Sequence, residues 1–331
     1  MNFSPANNVH PVESKIQQTR RDFLATSASG LGGVALASLL AEEGLLAEEF
    51  TNPMAPRKPH FEPKAKACIT IFMAGAPSHL DLFDPKPVLN QRSGQKLPKE
   101  ILDKARFAFI QPATATLMAS NRTFRKHGQC GMDFSDYLPH LGSVADDLLM
   151  VRSMHSDEFN HHPGQLLMQC GVSRFGMPTA GSWLTYGLGS ESKNLPGYVV
   201  LTAGRGSSGG ATLWQSGFLP STYAGVLFRN QGEPVLNLAN PKGLPPELQR
   251  AGLDALRTVN TGRFEKIHDP EIASRIASYE LASRMQTAAP ELIDLTKEDD
   301  RTLEAYGVTR KEPGGGGRGK SGNTYQDFAR N

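Results

Sequence analysis

The sequence predicts an α/β fold, and three short apolar runs carry that prediction. They are Ala67–Met73 (ACITIFM), Leu148–Val151 (LLMV) and Tyr198–Leu201 (YVVL). Near-continuous apolarity is what a strand buried on both faces of a parallel sheet requires. Each run ends in a polar or glycine-containing loop, and the later two follow segments with helical character, which is the rhythm of α/β chains. The 331 residues are 39% hydrophobic, enough for a core and incompatible with wholesale disorder. That length accommodates one large domain or two medium ones.

Before the first run lies an address. Lys15, Arg20 and Arg21 make the leading segment basic, and Phe23 to Ala41 then carries no charge. This is a signal-peptide pattern over residues 1–47 and is set apart from the fold. Thr19-Arg20-Arg21-Asp22-Phe23-Leu24 resembles a twin-arginine export signal, which implies the twin-arginine machinery as a partner and a periplasmic destination. Cleavage is expected near Ala41 or Ala47. An uncleaved inner-membrane anchor is the alternative, although Gly30, Gly32, Gly33 and three serines dilute the apolar run below a spanning helix. Residues 48–66 hold Pro53, Pro56, Pro59 and Pro63 without periodicity and read as a linker or extended arm.

Helices follow at legible positions. Ser135 is expected to cap a short helix through Tyr137 to Val144. Pro163 suits the first position of a helix over Gly164–Cys170, because its missing N–H is not needed there. Thr179 or Pro178 opens a helix carrying Trp183, Leu184 and Leu188. Pro245 and Pro246 open another with Leu248, Ala255, Leu256 and Val259 on about one face. Asp269-Pro270 is a cap and first residue, followed by Ile272, Ile276, Tyr279 and Met285 at helical spacing. These last two helices read as packing elements. Residues 203–243 are rich in Gly, Ser, Asn and Pro with scattered aromatics, a long excursion that serves either a ligand or its own packing.

Charge and cysteine exclude several functions. The chain has 35 basic and 33 acidic residues, so no surplus exists for nucleic acid. Cys68, Cys130 and Cys170 are too few and too scattered for a disulfide scaffold or a CxxC metal site. Gly314 to Ser321 matches G-x-x-x-x-G-K-[ST] letter by letter. It lacks the preceding strand and following helix that converge backbone N–H groups on phosphates, so no nucleotide is expected there. Residues 311–331 read as a flexible Gly-rich tail or the start of a further half.

Two polar clusters follow the first two apolar runs, and ligands of parallel sheets bind beyond the carboxyl ends of strands. One spans Gly75–Pro87 and includes Ser78, His79, Asp81 and Asp84. The other spans Arg152–Gly164 and includes His155, Ser156, His161 and His162. Mixed carboxylates and imidazoles are ligands for a divalent metal such as zinc or manganese. Asp81, Asp84, His155, His161 and His162 are the candidate ligands. The spacing also permits Asp81 and Asp84 to cap turns and His79 to pack. A bound metal would polarise a phosphoryl or sulfuryl oxygen, and Arg152 would hold the anion in a fork. Ser78, Ser156 and Thr179 are candidate nucleophiles, with no activating base that selects among them.

The segments RRDFL, ITIFMAGAPSHLDLFDPKP, Arg125-Lys126-His127-Gly128, VRSMHSDEFNHHPG, GMPTAGSWLTYGLGSESKNLPGYVVL and LWQSGFLPSTYAGV together resemble one exported bacterial family, domain of unknown function 1501. The resemblance runs from the signal to about residue 307. It implies a sulfatase-like relative of the alkaline phosphatase superfamily: a three-layer α/β/α sandwich with a metal site at the strand ends. The implied cofactor is a divalent metal (zinc, manganese or calcium), and the implied substrate is an anionic ester or sulfated polysaccharide. Asp81 or Asp84 stands where that superfamily has early metal carboxylates. His161-His162-Pro163-Gly164-Gln165 falls where a sulfatase has Cys/Ser-x-Pro-Ser-Arg, placing His161 at the nucleophile position. The Ser-Arg pair is absent, and Cys170 is followed by Gly171 and Val172, so no formylglycine precursor is present. Family members continue beyond a segment like TYQDFARN into a second half with an Asp-Thr-His metal motif. Residues 67–310 are therefore expected to be the N-terminal part of such a domain. The rival reading is a non-catalytic periplasmic module binding polysaccharide or protein through residues 203–243, with Trp214 or Tyr223 at the contact.

Overall fold

The structure, a computed structural model, describes residues 52–310 except 75–76, 105–106, 108–110, 204–205, 230–232, 234 and 293, together with Ala329. The expected export signal, the glycine motif at 314–321 and nearly all of the 311–331 tail lie outside the described residues.

The architecture is mixed α/β with two small sheets. β1 (Phe124–His127) and β2 (Met132–Ser135) form an antiparallel hairpin, with Phe124 opposite Ser135 and His127 opposite Met132. Its turn is held from outside. The Asp146 carboxylate accepts the N–H groups of Gln129 and Cys130 at 2.9 and 2.8 Å. β3 (Val199–Leu201) and β4 (Val226–Phe228) pair in parallel, with Val199 opposite Val226. β3 lies in the third predicted run. β4 sits within the 203–243 excursion, where no strand was expected.

The other two predicted strands do not form. Ala67–Met73 and Leu148–Val151 have no strand partner among the described residues, and Ile69 and Leu149 are 89% and 90% exposed. The physical reason is that a strand exists only through a neighbour that satisfies its N–H and C=O groups. Apolar, β-branched sequence permits that pairing but cannot supply it.

The helices follow the sequence more closely. Three one-turn helices were not expected: α1 (His79–Leu82), α2 (Pro87–Gln91) and α3 (Lys99–Leu102). α4 (Pro139–Ser143) is shorter than the predicted 137–144. α5 (His161–Cys170) begins two residues before Pro163, so Pro163 is its third residue and not its first. That position costs nothing, because the first four N–H groups of a helix have no intrahelical partner. α6 (Ala180–Leu188) follows Thr179 as its N-cap residue. α7 (Pro246–Ile267) and α8 (Pro270–Leu292) form a helical hairpin through His268 and Asp269. Asp269 caps α8 as its sequence predicts, its carboxylate accepting the Glu271 N–H at 2.9 Å. α9 (Asp300–Tyr306) is capped by Asp299, which accepts from the Thr302 N–H at 2.6 Å.

α8 carries the core. It buries Ile272, Ala273, Ile276, Met285 and Ala289. Met285 and Ala289 pack with Phe228 and Leu238, and Leu195, Val226, Val235 and Leu281 close around them. α7 buries no residue, and its Leu248, Leu256 and Val259 are exposed. It is tied to α8 through Arg250, which donates to Glu280 at 3.1 and 2.9 Å.

The start of the proline-rich arm is docked. Arg57 N–H donates to Leu188 O at 2.8 Å, and Ser190 N–H donates to Met54 O at 2.9 Å. The Arg57 guanidinium donates to Tyr186 O, to Pro53 O at 3.1 Å and to the Tyr223 hydroxyl at 3.2 Å. Residues 60–74 are exposed and lack helix or strand. Among the described residues no helix is long and apolar enough to cross a membrane.

Candidate functional site

The two predicted polar loops meet at one carboxylate. Arg152 donates through Nη2 to Asp84 Oδ1, and Lys86 Nζ lies 2.6 Å from Asp84 Oδ2. His79 Nε2 stands 4.0 Å from the same Oδ2. The Asp84 side chain is 19% exposed, while those of Arg152 and Lys86 are 54% and 51% exposed. The Lys86 hydrogen bond, against the opposing effect of desolvation and with help from Arg152, holds the Asp84 carboxyl below the ordinary aspartate range. One negative charge faces two permanent positive charges, so the cluster is net cationic.

Asp81 belongs to a neighbouring network. Hydrogen bonds from the Ser120 and Ser78 hydroxyls, with the Arg122 charge nearby, hold its carboxyl below the usual range. Arg122 donates to Asp136 from Nε at 2.9 Å and from Nη2, and its guanidinium lies 3.7 Å from the Tyr137 ring centroid. Phe83 meets Phe134 edge-on at 5.9 Å. The β1–β2 hairpin thereby fixes the segment that carries both aspartates.

The histidines of the second loop are not drawn to those aspartates. His155 and His161 are exposed. His162 Nε2 lies 3.2 Å from Thr212 Oγ1, and its ring meets Phe175 edge-on at 5.2 Å. Among the described residues, no group of three or more His, Cys, Asp or Glu side chains is placed to hold a metal ion. With Asp84 flanked by two cations and His162 turned to Thr212, the described donors do not fit a divalent ion.

The candidate hydroxyls differ in access. Ser78 is exposed beside α1 and reaches Asp81. Ser156 Oγ accepts the Glu158 N–H at 3.0 Å. Thr179 is 0% exposed, with its hydroxyl 3.0 Å from Ser182 Oγ and 3.3 Å from Gln215 O. A reacting ester cannot reach it in this arrangement; its hydroxyl joins α6 to the 203–243 segment.

Sequence reasoning missed two positioning residues. Arg122 is one. Gln165, noted only for standing where a sulfatase has arginine, is the other. Its buried Oε1 accepts from Ser207 Oγ at 2.7 Å, Ser208 Oγ at 3.1 Å and Gly209 N–H at 3.1 Å. Nothing local in the sequence marks a contact spanning forty residues.

A family model described as "Protein of unknown function (DUF1501)" matches residues 65–330. The chain belongs to the DUF1501 family. No curated protein and no solved structure matches it. The DUF1501 region includes both polar loops and the Asp84–Arg152 junction, whereas residues 19–24 and the docked Met54–Arg57 arm precede it.

Proposed function

We propose that this chain is an exported, anion-recognising hydrolase-like protein acting on sulfate or phosphate esters. The observation that carries the reading is the cationic cluster at Asp84. Arg152 and Lys86 flank one carboxylate, and each head has more N–H donors than its contact with Asp84 uses. An ester sulfate or phosphate bridging these heads would be held by charge-assisted hydrogen bonds, with the guanidinium supplying a planar fork. Asp84 then serves to orient the two cations.

Metal-dependent hydrolysis with zinc, manganese or calcium needs ligands besides the described donors. Ser78 contacts Asp81, but a carboxyl held below its ordinary range is a weak proton acceptor, so no nucleophilic step is assigned to that pair.

The test is titration of the full chain with inorganic sulfate and phosphate, followed by calorimetry, for wild type, Arg152→Gln and Lys86→Gln. Binding weakened at least about tenfold by either substitution is expected from loss of a charged hydrogen-bond partner. Equal binding by all three proteins would sink the reading. Hydrolysis of p-nitrophenyl sulfate and phosphate with each added metal tests the catalytic part separately.

A further inference from the structure

A cavity of about 400 Å³ lies between the β3–β4 ladder, the 221–225 and 235–238 turns and the α7–α8 hairpin. That volume is within the range of small-molecule sites. Tyr198, Leu236, Leu253 and Tyr279 form apolar parts of its wall. Among the described residues that line it, none is charged. Gln249 and Ser278 also line it, both half-buried, and neither side chain hydrogen-bonds to a described residue. Asn237 contributes an amide at the rim, its backbone held at φ 57. Gln286, on the same wall, is oriented by donating to Leu238 O at 2.7 Å and Asn240 Oδ1 at 2.9 Å.

These features select a ligand class. An ionic group would lose its hydration without gaining a countercharge, which disfavours sulfate, phosphate, carboxylate and ammonium. A pure hydrocarbon would bury the Gln249 amide and Ser278 hydroxyl without partners, at a cost for each. A neutral sugar ring avoids both penalties. Its C–H faces pack on Leu253 and on the half-exposed Tyr279 ring, and its hydroxyls pair with the amides and the serine. We infer that this cavity binds a neutral sugar unit of a glycan. The inference does not depend on ester chemistry at Asp84, because no residue of that cluster lines the cavity.

The experiment uses the full chain with four neutral probes: cellotetraose, maltotetraose, xylotetraose and mannotetraose. Saturation-transfer NMR detects contact, calorimetry gives affinity, and ring-proton shifts locate the site. At least one probe is expected to bind with Kd of about 1 mM or tighter, shifting Tyr198 and Tyr279. Gln249→Leu and Ser278→Val should each weaken it about three- to tenfold, the loss of one hydrogen bond. Arg152→Gln should leave it unchanged, which separates this site from the anion site. Absence of transfer from all four probes overturns the inference. So does binding that both cavity variants retain in full, or shifts confined to residues away from the cavity.

Discussion

Asp84 and Arg152 stand 68 residues apart in the chain and form an ion pair that joins the two polar loops. Each loop follows an apolar run, and neither run is itself paired among the described residues. The junction is therefore held by side chains and not by a sheet beneath it. An ion pair whose cations are half-exposed is a modest constraint.

Asp84→Asn is accordingly expected to lower stability by about 1 kcal/mol or less. A double-mutant cycle with Arg152→Gln should return a coupling of the same size. Chemical denaturation of the four proteins measures it, and a coupling above about 3 kcal/mol would show a buried, tightly paired site instead.

The pH dependence follows from the sign of the Asp84 shift. Lys86 and Arg152 lower its pKa in the folded state. The unfolded chain therefore binds its proton first as pH falls below the ordinary 3.8. The stabilisation is complete above that value and is lost as pH falls further, through the lowered folded value. Melting temperature followed from pH 6 downward should drop more in wild type than in Asp84→Asn. Parallel curves would falsify the assignment.

Docking of the arm is tested at Gly189. Its φ is +70, and a Cβ there would stand 2.0 Å from Ala55 O. Gly189→Ala should displace residues 54–57 and destabilise the protein by about 1–3 kcal/mol. Arg57→Met removes the guanidinium bonds and should cost a similar amount. Faster exchange of the Ser190 amide, which donates to Met54 O, is the specific readout.

Gln165→Leu keeps the approximate volume and removes the acceptor of three hydrogen bonds. Leaving the Gly209 N–H and two hydroxyls without that acceptor should cost about 1–3 kcal/mol. Hydrogen exchange at Gly209 should accelerate, while α8 amides stay protected. Uniform acceleration through both regions would mean that the 206–210 turn does not open on its own.

Ile69 and Leu149 are nearly fully exposed. Ile69→Lys and Leu149→Lys should change the stability of this chain by less than about 0.5 kcal/mol, as at ordinary surface sites. Because an uncharged, β-branched exposed run promotes self-association, light scattering should fall in both variants. A loss of several kcal/mol would place these residues in a packed sheet.

Legibility of the fold tracked how local each determinant was. α8 was readable because Asp269-Pro270 starts it and Ile272, Ile276 and Met285 mark its buried face. Tyr279, in the same periodic series, is 44% exposed, since the period defines a face but not where its neighbours end. The β1–β2 hairpin was not readable. FRKH and MDFS lack an apolar run, and their turn is held by Asp146 from a distant segment. Within the candidate site, the residue types of both loops were evident, Arg152 among them. Arg122 and Gln165 were not, because their partners lie far along the chain or across elements.

The sequence by itself determined the helices that begin at Thr179, Pro245-Pro246 and Asp269-Pro270, family resemblance, and the two loops rich in polar and ionisable groups. These depend on capping, periodicity and residue type, all written within a few neighbouring positions. Tertiary structure alone decided that Asp84 pairs with Arg152 and Lys86, that Thr179 is buried, and that His162 turns to Thr212. It also decided that two apolar runs remain without strand partners among the described residues. Pairing and burial are relations between distant segments, and their free energy exists only once those segments meet.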